Sequence, residues 1–255
     1  MKRLVMILLV VALIAGAGYC AYRYINDIYI PNHEITDAAD EQRAYFDKIN
    51  PTIGADEDET SSGASKAPSA FESLKAQSND AVGWIKIDGT VIDYPVVQTT
   101  DNSFYLNNGF DKAYNGVGCP FLDYRCKSDF SSFVSIVYAH HIQGYQAMFA
   151  DITRYADSSF MEAYPYGVLL TKTGVHRVRF FAYMLLPNPS FAYQTEQETK
   201  SDREGYIDEI FDQAAYTRTY TAQELKNKKD LHLLLLSTCS YEAWNARGVL
   251  AGVIE

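Results

Sequence analysis

Cys239, the adjacent histidines His140 and His141, and Arg247 are residue types that together could carry acyl transfer by a thiol. A thiolate attacks a carbonyl, an imidazole moves protons on and off the leaving and entering groups, and a guanidinium offers fixed donors to an oxyanion. Cys239 follows the run Leu231–Leu236, apolar except for His232, and the small residues Ser237 and Thr238. That pattern predicts a buried strand, and a thiol where such a strand emerges is rigidly held yet reachable. The polar loop Ser240–Ala246 leads to Arg247 and a second apolar run, Gly248–Ile254. If the two runs pair as neighbouring strands, Arg247 returns to the neighbourhood of Cys239, where a permanent cation favours the thiolate. The competing reading is a buried structural cysteine beside a surface arginine, and this segment alone favours it.

His33 lies near the N-terminus, and His176 and His232 sit on strand patterns, where a packed or solvated histidine is the usual case. His140 and His141 differ, because the strand-like Ser135–Ala139 stops there and Gln143-Gly144-Tyr145-Gln146 follows. A strand end is a good position for a catalytic side chain: the strand fixes the backbone while the loop opens the site. A cysteine and a histidine alone are still a weak signal.

Period-two, β-branched stretches supply the elements that must position these residues. Val82–Ile87 and Val91–Val97 flank the turn signal Asp88-Gly89, and Phe133–Tyr138, Gly167–Thr171 and Val175–Leu186 read as further strands. Helical stretches are expected at Ala147–Tyr164, at about Arg203–Ala214, at Phe71–Ser78, and from a cap near Thr36 or Asp37, since Pro31 and Asn32 interrupt anything earlier. Short strands with few helices between them predict a mainly β fold, a closed or nearly closed barrel with helical insertions.

The formal net charge of −10 provides no basic stripe for phosphates, which argues against a nucleic-acid partner. Cys20, Cys119, Cys126 and Cys239 have no metal-ligand spacing, and the acidic residues form no calcium loop, so no metal or other cofactor is expected. Whether Cys119 and Cys126 bridge a loop stays open. Leu4–Tyr22 is uncharged and, at 1.5 Å per residue, about 28 Å long as a helix. With Lys2 and Arg3 before it, it predicts an uncleaved single-pass anchor with the N-terminus cytoplasmic and the body extracellular. A cleaved signal peptide, with small residues at Ala15-Gly16-Ala17, is the competing reading. Pro51–Ala70, acidic and then rich in Ser, Gly and Ala, reads as a flexible linker.

Val137-Tyr138-Ala139-His140, Leu236-Ser237-Thr238-Cys239 and the downstream Arg247 resemble the class B sortases, membrane-anchored cysteine transpeptidases of Gram-positive bacteria. The resemblance extends through Val82–Gln98, Phe104–Asn107 and Gly118–Arg125, and so over nearly all of residues 71–255. It implies a sortase-type closed β-barrel with N-terminal helices and a helical insertion before the strand carrying the catalytic cysteine. It divides the chain into a cytoplasmic start and transmembrane anchor (1–25), an extracytoplasmic helix and linker (26–70), and a catalytic domain (71–255).

The same resemblance implies roles. Cys239 is the nucleophile on the carbonyl after the threonine of a C-terminal sorting motif, His140 the proton carrier, and Arg247 the oxyanion stabiliser. Ser237 is expected to orient substrate or Arg247, and Tyr193 to wall the pocket. The implied partners are secreted proteins with a motif like Asn-Pro-x-Thr or Ser-Pro-x-Thr, and an amine of a peptidoglycan precursor. A pilin lysine is the alternative acceptor, and a purely hydrolytic cysteine endopeptidase the alternative chemistry. Ala139 stands where the family usually has glycine, and a register slip of one residue would exchange His140 for His141.

Overall fold

The computed structural model describes residues 16–23, 25, 30–51, 67–141, 145–240 and 246–255. Among them the strands are β1 (Ala81–Lys86), β2 (Asp93–Val97), β3 (Phe121–Leu122), β4 (Val134–Ala139), β5 (Tyr166–Thr171), β6 (Gly174–Pro187), β7 (Tyr216–Thr217), β8 (Leu233–Ser240) and β9 (Ala246–Ile254). They pair in the order β5-β1-β2-β3-β4-β8-β9-β6, and β6 pairs back onto β5, closing an eight-stranded barrel; β7 adds to the outer part of β6. The helices are α1 (Ile30–Ile49), α2 (Ala67–Gln77), α3 (Ser158–Ala163), α4 (Lys200–Gln213) and α5 (Ala222–Asn227). The last two form the insertion between the outer part of the barrel and β8.

The apolar run becomes β8 because both of its faces are covered. Leu234 and Leu236 join the barrel interior, while Leu233 and Leu235 pack with Ile207 and Ile210 of α4. Each leucine is fully buried, worth on the order of 2 kcal/mol apiece. A one-residue slip would exchange the two faces and disrupt both cores, so the register that carries Cys239 is strongly specified. At the β1–β2 turn Gly89 adopts φ +75°, and a Cβ there would overlap the ring of Tyr164, so glycine is required.

The helices depart from expectation in several places: α5 was not expected, and α2 takes in Ala67–Ala70 of the expected linker. Helix α1, Ile30–Ile49, already includes Pro31 and Asn32, which were expected to interrupt any helix before Thr36. The expected helix Ala147–Tyr164 is instead a 3-10 segment, Ala150–Ala156, and then α3. Asp157 separates them: its backbone is extended (φ −87°, ψ 119°) and its carboxylate accepts the Ser159 N–H at 2.8 Å, capping a new helix. Helix α1 packs on the barrel. The ring of Phe46 lies 6.3 Å from Trp84, 5.7 Å from Tyr94 and 6.3 Å from Phe110, and the Gln42 amide donates to the Gly118 carbonyl at 2.9 Å.

The expected membrane anchor is corrected. Among the described residues no helix is long and apolar enough to cross a membrane. Of Leu4–Tyr22, residues 16–22 are described, and are helical, while residues 4–15 lie outside the described residues. Helix α1 has 20 residues but carries Asp37, Asp40, Glu41, Arg43, Asp47 and Lys48. The single-pass, cell-membrane localisation therefore has no support here. Residues 1–15 and most of the expected linker (52–66) lie outside the described residues, as do 142–144, beside His141, and 241–245, in the loop before Arg247.

Candidate active site

Three adjacent strands bring the predicted site residues to one edge of the barrel. Strands β4 and β8 are parallel and in register from Val134↔Leu233 to Ala139↔Thr238, so His140 and Cys239 are the next residues on each. Strand β9 runs antiparallel to β8 with Cys239 opposite Arg247. Neighbouring strands lie about 4.8 Å apart, so the three backbones span roughly 10 Å. Ala139 ends β4 as an ordinary strand residue without positive φ, so glycine is not required there.

The edge opens into a cleft of about 280 Å³ lined by His140, Arg247, Ser237, Tyr193, Asn102, Leu106, Tyr138 and Thr238, among others. His140 Nε2–H donates to the Leu106 carbonyl at 2.7 Å, which holds the imidazole against the short turn Phe104–Leu106. His141 instead forms an isolated bridge with Met148 and does not line the cleft. Tyr193, in the turn Phe191–Tyr193, shares a 3.1 Å hydrogen bond between its hydroxyl and that of Ser237, and its ring lies 5.9 Å from Tyr138. Burial, and then the neighbouring Asp123 carboxylate, push the Tyr138 hydroxyl well above the usual phenol range, so it remains a donor. Arg247 Nη1 donates to the Ala246 carbonyl at 3.0 Å.

No family model matches the chain. Sortase B of Listeria monocytogenes is 31% identical over 169 residues, 66% of this chain and 66% of that relative, so the match spans just under two thirds of the relative's length. A solved sortase B complexed with triglycine superposes with a TM-score of 0.71 at 25% identity, covering 85% of this chain and 98% of the other. A Streptococcus pyogenes class B sortase involved in pilus biogenesis gives 0.63 at 27% identity, covering 72% and 97%. The chain belongs to the class B sortases.

The closed barrel with its helices matches the solved sortases. The cleft also contains residues that the sequence did not mark as site residues: Asn102, Leu106, Phe121, Tyr138, Ala139, Asn188 and Thr238. Tyr138 and Thr238 lie inside the two quoted motifs, and Leu106 inside the quoted Phe104–Asn107, which was the available signal. Asn102 comes from the loop Thr99–Ser103, where Asp101 accepts the Ser103 and Phe104 N–H groups, and nothing local announces that this turn reaches the cleft. Cys119 and Cys126 are free and buried rather than bridged. Burial pushes both thiols up, that of Cys126 to about 11, so neither is a thiolate at neutral pH. Among the described residues no group of three or more His, Cys, Asp or Glu side chains is arranged to hold a metal ion.

Proposed function

We propose that this sortase is a cysteine transpeptidase. It would cleave a C-terminal sorting motif after threonine and pass the acyl fragment to an amine, with residues 71–255 as the catalytic domain. The observation that carries the reading is the juxtaposition of His140, Cys239 and Arg247 at the ends of three neighbouring strands.

The Cys239 thiolate attacks the threonine carbonyl carbon, and the carbonyl π electrons move to oxygen. Arg247 donates to that oxyanion without competing for the proton, because its guanidinium stays charged. Collapse breaks the C–N bond as His140 protonates the departing amine, leaving a thioester on Cys239. An incoming amine then attacks the thioester, His140 takes its proton, and the thiolate leaves. Ser237 and Tyr193, joined by their hydroxyls, form a wall against which the motif is oriented.

We assign the substrate as a secreted protein with a motif like Asn-Pro-x-Thr or Ser-Pro-x-Thr, and the acceptor as an amine of a peptidoglycan precursor. The triglycine complex of a solved sortase B supports an amine acceptor. A pilin lysine is the second reading, favoured by the neighbour involved in pilus biogenesis. The test incubates the full chain and Cys239→Ala with a library of both motif types, with triglycine or a lysine peptide, and resolves products by mass. Ligation to an added amine supports the reading, and the preferred amine separates the two acceptors. Products ending only in free carboxylate would make the protein a hydrolytic endopeptidase.

A further inference from the structure

Asp123 follows β3, is completely buried, and does not line the cleft, yet it links parts of the cleft wall. Arg125 grips its carboxylate with two bonds, Nε to Oδ1 at 2.9 Å and Nη2 to Oδ2 at 2.7 Å. The Tyr138 hydroxyl donates to Oδ2 at 3.0 Å and the Asn102 amide donates to the same oxygen at 2.9 Å. Asn102 is fixed from its other end as well, since its Oδ1 accepts the Tyr124 N–H at 3.0 Å. Arg125 Nη2 reaches across 68 residues of sequence to donate to the Tyr193 carbonyl at 3.1 Å, and Tyr193 in turn meets Ser237. One carboxylate therefore connects, directly or through Arg125, to Asn102, Tyr138 and Tyr193.

A buried carboxylate is costly unless paired and hydrogen-bonded, and this one has both. Burial pushes its carboxyl up, but the bonds from Arg125 and Tyr138 outweigh that and hold it below the usual range, so it is ionised at neutral pH. Apolar packing in place of a buried ion pair is often neutral for stability, so stability alone does not call for this one. What the ion pair adds is orientation: each cleft residue it holds has a defined direction for its remaining polar atoms.

We propose that Asp123, acting through Arg125, is a positioning residue for the transpeptidase site, setting the geometry of the wall that binds the sorting motif. It touches neither substrate nor the reacting atoms. The inference rests on the transpeptidase reading. Asp123→Asn keeps the shape but removes the charge, and Arg125→Gln, at a partly exposed side chain, removes the tie to Tyr193 with less risk to folding.

The experiment measures kcat and KM with the preferred motif peptide on the full chain, the rate and pH profile of Cys239 alkylation by iodoacetamide, and thermal melting. For both variants kcat/KM should fall tenfold or more, chiefly through KM, while alkylation rate and pH profile stay within twofold of wild type. Combining Arg125→Gln with Tyr193→Phe should cost less than the product of the single effects, because both act on one wall. Wild-type kcat/KM in a folded Arg125→Gln, or fully multiplicative effects, would overturn the inference. So would a loss accounted for by the unfolded fraction. A wild-type protein that turns over no peptide would sink the transpeptidase reading and this inference with it, whereas wild-type turnover with indifferent variants sinks this inference alone.

Discussion

Cys239 stands opposite Arg247 in the antiparallel β8–β9 ladder, and Ser240 stands opposite Ala246. The pairing makes the distance between the two positions a property of the barrel rather than of the loop. Arg247→Ala should therefore lower kcat by about 100-fold or more, the scale of losing an oxyanion donor, with KM changed far less. Arg247→Lys should recover little of the loss, since the charge is kept but the planar fork is not. Steady-state kinetics on a quenched motif peptide read both.

The cysteines should separate by reactivity. With Cys20→Ser to remove the exposed thiol, native protein at pH 7.5 should take up one equivalent of iodoacetamide, mapped to Cys239. Cys119 and Cys126 should react only after denaturation, because burial both hides them and raises their pKa values. Peptide mapping before and after guanidinium checks this, and rapid native labelling of Cys126 would contradict it.

Acid should weaken the join between β6 and β9. Glu255 accepts from Tyr220 at 2.7 Å and from Arg177 Nε at 2.9 Å, with Arg179 Nε 3.5 Å away. Burial raises its carboxyl, but these partners outweigh it and the group ends below the usual glutamate range. A depressed folded pKa gives stability that is complete above the unfolded value of about 4.3 and is lost as pH falls through the folded one. Glu255→Gln should cost about 1 kcal/mol at pH 7 and progressively less as pH falls below about 4, read by urea denaturation across that range.

Helix α1 should behave as part of the catalytic body. Phe46→Ala removes a buried ring packed against three aromatic side chains and should destabilise the fold by about 3–5 kcal/mol in chemical denaturation. A change under 1 kcal/mol would mean that α1 docks without contributing to the core.

Much of the fold was legible where local pattern and global need agree. Leu233–Leu236 announced a buried strand because both faces are covered, and the second apolar run after Arg247 implied a neighbouring strand. His140 and His141 were both distinguishable by their place at a strand end, and of the two it is His140 that lines the cleft. The stretch Ala147–Tyr164 misled because its apolar spacing suits a helix, while the cap at Asp157 decides where one begins. The apolar Leu4–Tyr22 run suggested a membrane span that no described helix provides. The Asp123 linkage had little local signal: Arg125 is two residues away, but the ties of Asp123 to Asn102 and Tyr138, and of Arg125 to Tyr193, exist only through tertiary structure.

The most direct test of a Cys239 acyl-enzyme is the intact mass of the full chain mixed with its preferred motif peptide and quenched in acid within seconds. The expected result is an added mass equal to the acyl fragment ending in threonine, mapped to Cys239, absent in Cys239→Ala, and chased away by triglycine or a lysine amine. Cleavage of the peptide by Cys239→Ala at the wild-type rate, or an adduct on any other residue, would contradict it.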